Sequence, residues 1–200
     1  MRPLASALEA RGFRVFNLAY PSRTAGVGAL AADVARQVRD IDDAEPLHFI
    51  THSLGGILLR VAVANDDLPL DRIGRVVMLG PPNGGSHVPD AFNRWRISGA
   101  LYRFVTGPAG LELGIGGDGI VSRLPPLPFD AGIIAGSRSV NPVLSLFLPG
   151  PNDGKVSVEH ATVEGMRAFL VMPHSHPFLM SAPAVMSQAI RFLETGAFAL

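Results

Sequence analysis

Cysteine is missing altogether from these 200 residues. That absence excludes disulfide staples, thiolate nucleophiles and cysteine-ligated zinc, and leaves the redox compartment open. An excess of either charge is missing too, because 17 basic and 17 acidic residues give a formal net charge of zero. A chain so balanced lacks the basic footprint of a nucleic-acid or anionic-membrane binder, and it suits small neutral partners better. There is also no long apolar run at the start. Met1-Arg2-Pro3-Leu4-Ala5 leads into Glu9 and Arg11, so neither a secretory leader nor a membrane span is visible. The expectation is a soluble chain, cytoplasmic by default. Internal repeats and low-complexity tracts are absent, and no helical stretch carries H-x-x-x-H or H-E-x-x-H, so neither a metal nor a cofactor is expected.

What is present is apolar bulk, 48% of the residues, enough for one domain spanning 1–200 with a substantial core. Leu4, Ala7 and Leu8, with Pro3 before them and Gly12 after, predict a short amphipathic helix. Residues 13–18 form a compact apolar run ended by Tyr20-Pro21-Ser22, which predicts a buried strand. Leu30, Val34, Val38 and Ile41 recur at three- and four-residue steps and predict a helix over 27–42. Strands are expected at 47–51, 73–79, 133–135 and 169–172, and helices from 54 to about 65 and over 183–193. The 73–79 run is valine-rich without alternation, as when helices cover both faces of a parallel strand. Strand–helix alternation of this kind predicts an α/β fold: a mostly parallel open sheet flanked by helices. Residues 86–130, with Phe92, Trp95, Tyr102 and Phe104 followed by Gly- and Pro-rich sequence, are expected to form a small helical cap-like insertion.

A serine hydroxyl becomes a useful nucleophile only when a base takes its proton and a tight turn lifts it clear of the backbone. Thr51-His52-Ser53-Leu54-Gly55 offers such a turn between a predicted strand and a predicted helix, which is the setting of the G-x-S-x-G elbow. Thr51 stands where that pattern has its first glycine. Ser53 is therefore the candidate nucleophile, and the Leu54 N–H at the helix start the candidate oxyanion donor. His52 is expected to pack beside the strand end.

On an α/β sheet the partners of such a serine follow in the order acid, then histidine, each after a later strand. Asp153, in the turn-rich run Gly150-Pro151-Asn152-Asp153-Gly154, is the candidate acid, with Glu159 and Asp118 in reserve. His176 is the candidate base, next to Pro177 and Phe178, and His174 is the alternative. His48, His87 and His160 read as packing or surface residues.

These features resemble the lipase and esterase branch of the α/β-hydrolase superfamily, small bacterial triacylglycerol-lipase-like proteins included. The resemblance rests on Tyr20-Pro21-Ser22, on 51–56, on Leu79-Gly80-Pro81-Pro82-Asn83-Gly84-Gly85-Ser86, on 152–156 and on Ser175-His176. It implies hydrolysis of an acyl ester or lipid through an acyl-enzyme on Ser53 without a cofactor, with 88–105 as a lid. The same three residues would also serve an acyltransferase, a thioesterase or an amidase. A catalytically weak binding domain is the non-enzymatic reading.

In that family the fold begins with a strand ending in a His-Gly loop, which supplies a second oxyanion donor and lies between the strands corresponding to 13–18 and 47–51. Without it, a gap of about 10 Å is expected between those two strands. Either they close up and pair, or backbone is left unpaired. The natural polypeptide is expected to be longer, with this start a truncation or a misplaced initiation codon, and an in-frame stop immediately upstream of Met1 would refute that. Loss of one oxyanion donor removes about 3 kcal/mol of transition-state stabilisation.

Overall fold

A computed structural model describes residues 1–22, 24–42, 45–85, 108–110, 112–114, 119–140, 145 and 148–199. Four strands form one sheet in the order β1 (Leu47–His52), β2 (Ile73–Leu79), β3 (Ala131–Gly136) and β4 (Ala168–Met172). Every neighbouring pair is parallel. The order in space is thus the order in sequence, and all four carboxyl ends meet at one edge: His52 is level with Leu79, Leu79 with Ile134, and Gly136 with Met172.

Both faces of the sheet are covered, and β2 shows how. Val76 and Met78 point into a core shared with helices α2 (Val27–Arg39) and α3 (Leu54–Ala64). Val77 and Leu79, one residue out of phase, point into a second core. There they meet Leu4 and Leu8 of α1 (Arg2–Glu9), and Val185, Ala189, Phe192 and Leu193 of α5 (Pro183–Thr195). The two-residue period of a strand sends alternate side chains to opposite faces, so a strand buried on both sides must be apolar throughout. Each such side chain taken out of water contributes about 1.5–3 kcal/mol.

The helices follow from the same apolar spacing. In α2 the buried residues Val27, Leu30, Ala31, Ala35 and Val38 fall on one stripe. No side chain of its own caps that helix. Glu112 does so from far along the chain, its carboxylate accepting the Val27 N–H at 2.9 Å, where a negative charge also suits the helix dipole. Val121, Leu127 and Phe129, also from the expected insertion, join the α2–α3 core. The lid expected over 88–105 lies outside the described residues.

One expected strand is not formed. Residues 13–18 belong to no strand, and among the described residues β1 pairs with β2 alone. An apolar run becomes a strand only when a neighbour accepts its backbone hydrogen bonds, and among the described residues none pairs with this run. A cavity of about 470 Å³ is lined by Phe13, Val15 and Leu18 together with Phe49, Ile50 and His52. Of the two outcomes expected for the gap, closure and separation, the structure shows separation.

Candidate active site

Ser53 occupies the single residue between β1 and α3, with φ 54° and ψ −123°. A non-glycine residue there carries about 1–3 kcal/mol of backbone strain, and such strain persists only where the surroundings impose it. The turn is held at both ends: the Ser53 N–H donates to the Leu79 carbonyl at 2.9 Å, and the Gly56 N–H donates to the Ser53 carbonyl at 3.1 Å. Leu54 opens α3, where helix N–H groups have no intrahelical acceptor.

Thr51 lies against the first turn of α3, where a side-chain carbon at Gly55 would be 3.6 Å from Thr51 Cβ and one at Gly56 3.3 Å from Thr51 Oγ1. The Oγ1 itself is buried with no hydrogen-bond partner.

Asp153 and His176 come together. Asp153 Oδ2 accepts from His176 Nδ1 at 2.7 Å, and the Asp153 and His176 side chains are only 1% and 3% exposed. The other carboxylate oxygen accepts the Lys155 and Val156 N–H groups at 2.9 and 2.8 Å. A backbone bond at 3.0 Å from the His176 N–H to the Asp153 carbonyl ties the two loops a second time.

Because a carboxylate only accepts, neutral His176 carries its proton on Nδ1 and leaves a lone pair on Nε2. That Nε2 is buried and has no hydrogen-bond partner, so Ser53 Oγ is not bonded to it. Leaving such an atom unpaired costs about 1–3 kcal/mol, and a catalytic role is one of the explanations such a buried orphan calls for.

Two glycines, Gly80, quoted from the sequence only as part of a motif, and Gly136, not singled out there, make room for this pair. Gly80, directly after β2, has φ +55°, and a side-chain carbon there would lie 3.0 Å from Asp153 Oδ2 and 3.1 Å from His176 Nδ1. A carbon at Gly136, the last residue of β3, would lie 2.7 Å from Asp153 Cβ. The only signal in the sequence was a glycine at each strand end. The reason for it is tertiary.

His52 was expected merely to pack. Instead its ring lies 4.7 Å from the His176 ring, centroid to centroid, and its Nε2 donates to the His176 carbonyl at 3.0 Å. Burial, helped by the neighbouring His176, pushes its pKa down to about 4.

The reserve candidates are elsewhere. Glu159 is exposed on α4 (Val158–Ala161). His174 holds its carbonyl within 3.4 Å of the Arg138 N–H. His48 Nδ1 accepts the Arg75 N–H, and His160 Nδ1 meets Ser157 Oγ. Asp118 and His87 lie outside the described residues.

Comparison with solved structures decides the fold. The lipase BlEst2 of Bacillus licheniformis in its mature form superposes with a TM-score of 0.70 at 18% identity, over 90% of this chain and 77% of that one. The chain has the α/β-hydrolase fold. Phospholipase PlaB of Legionella pneumophila matches this hydrolase-fold chain with a TM-score of 0.71 at 19% identity, over 97% of this chain and 56% of its own. A metagenomic carboxyl esterase matches with 0.63 at 20% identity, over 88% and 62%. The chain thus spans little more than half the length of two of these hydrolases. No known sequence family and no curated protein sequence matches it.

Proposed function

We propose that this α/β-hydrolase-fold chain is a serine hydrolase that cleaves carboxylic esters. The observation that carries the reading is the buried Asp153–His176 pair, whose Nε2 has no hydrogen-bond partner, while His52, the residue before the strained Ser53, donates to the His176 carbonyl. The lipase, phospholipase and carboxyl esterase among the structural neighbours support the ester class.

In this mechanism His176 Nε2 takes the proton from Ser53 Oγ as the oxygen attacks the ester carbonyl carbon. Asp153 holds the imidazole in the right tautomer and stabilises the imidazolium that forms. The Leu54 N–H, at the positive end of α3, donates to the developing oxyanion. His176 then passes the proton to the departing alcohol, leaving an acyl group on Ser53, and water removes it by the same steps in reverse roles. Among the described residues no helix is long and apolar enough to cross a membrane.

A fluorophosphonate probe tests the reading directly. The expected result is covalent labelling of the folded chain, abolished in Ser53→Ala. A folded chain that does not label refutes it.

A further inference from the structure

The ring next to the base invites an explanation that packing alone does not supply. His52 ends β1, while His176 opens the 3₁₀ turn after β4 (His176–Phe178), and β2 and β3 separate their strands in the sheet. Their side chains nevertheless meet. Since a carbonyl can only accept, the 3.0 Å contact to the His176 oxygen puts the His52 proton on Nε2. The two rings are tilted at 46° to each other. His176 is therefore gripped at three points: Asp153 holds Nδ1, Asp153 also holds the backbone N–H, and His52 holds the backbone carbonyl while its ring lies against the imidazole.

We propose that His52 is a positioning residue of the site, fixing the backbone and ring plane of His176 so that its Nε2 keeps one direction. This inference rests on the serine-hydrolase reading. It assigns His52 no proton transfer, since its Nε2 is already engaged by a carbonyl.

The charges around the pair agree with that assignment. The groups acting on His52 are His176, Asp153 and Lys155, with burial the largest influence. A neutral ring beside His176 does not oppose the imidazolium that must form there, whereas a second cation would.

Three variants separate the parts of the grip. His52→Phe keeps a ring and loses the donor, His52→Gln keeps a donor and loses the ring, and His52→Ala loses both. With a soluble p-nitrophenyl ester, kcat is expected to fall by about tenfold to a hundredfold in His52→Ala. KM should stay within about twofold, and Phe and Gln should each recover part of the loss. Unchanged kcat in His52→Ala overturns the proposal, as does a loss that appears wholly in KM. So does an equal loss in all three variants.

A second readout does not depend on turnover. In proton NMR of the full chain, the hydrogen-bonded Nδ1–H of His176 should be sharp in the native chain and broadened by faster exchange in His52→Ala. If that resonance is indifferent to the substitution, the positioning role is refuted, even in a chain that shows no esterase activity. Lack of turnover in the native chain would sink the hydrolase reading instead.

Discussion

Replacing Gly80 with alanine should damage the site far more than the fold. Two effects operate at this position. The first is strain: φ is +55°, and an L-residue there costs roughly 1–2 kcal/mol. The second is collision, since the new carbon would sit 3.0 Å from Asp153 Oδ2, 3.0 Å from Leu179 Cδ1 and 3.1 Å from His176 Nδ1. Ordinary carbon contacts lie near 3.5–4.0 Å, so the Asp153–His176 pair must move by several tenths of an ångström. Its hydrogen bond, now 2.7 Å, must lengthen or turn.

A misplacement of about 1 Å can lower a rate by about a hundredfold, so a shift of several tenths should slow the reaction by roughly tenfold. Gly12→Ala provides the control, because Gly12 has φ +85° and nothing within 4 Å of the added carbon. It bears the strain without the collision. Urea denaturation should show losses of roughly 1–2 kcal/mol for Gly12→Ala and somewhat more for Gly80→Ala. Fluorophosphonate labelling should slow only in the latter. Equal labelling rates in the two variants would refute the argument that Gly80 exists to make room for the pair.

Three further outcomes are expected. Asp153→Asn keeps the acceptor for Lys155 and Val156 but can present an NH₂ to the His176 Nδ1–H; the imidazole must then switch tautomer, and kcat should fall by about three to four orders of magnitude with little change in the urea midpoint. His52 has its pKa lowered to about 4, so between the ordinary pKa of about 6.5 and that value the unfolded chain takes up a proton that the folded chain refuses. Stability should therefore drop as pH falls through this window, by at most about 3 kcal/mol, and His52→Phe should remove that part of the slope in denaturation curves run from pH 4 to 7. Thr51→Val exchanges a buried hydroxyl without a partner for a methyl of similar size, and the urea midpoint should rise by the equivalent of about 1 kcal/mol.

How far the sequence could be read depended on whether a feature was local. The unbroken apolar run ending 73–79 and the three- and four-residue stripe Leu30, Val34, Val38 are local patterns, so β2 and α2 were legible without neighbours. Residues 13–18 looked equally strand-like, yet a strand is a relation between two chains of backbone, and among the described residues none pairs with this run. The order serine, acid, histidine singled out Ser53, Asp153 and His176, and the structure brings Asp153 and His176 into contact. Gly80, Gly136 and the reach of His52 across the sheet edge depend on register between distant segments. A single sequence does not display that.

The strand order has a thermal consequence. Among the described residues β2 and β3 are each laced to two neighbours, whereas β1, leading to Ser53, and β4, leading to His176, are each laced to one. Elements with fewer bonds open at lower free energy than the whole molecule. Gentle warming should loosen the two flanks while the middle of the sheet stays intact, so that the capacity to react is lost at a temperature where far-ultraviolet circular dichroism still reports a folded chain.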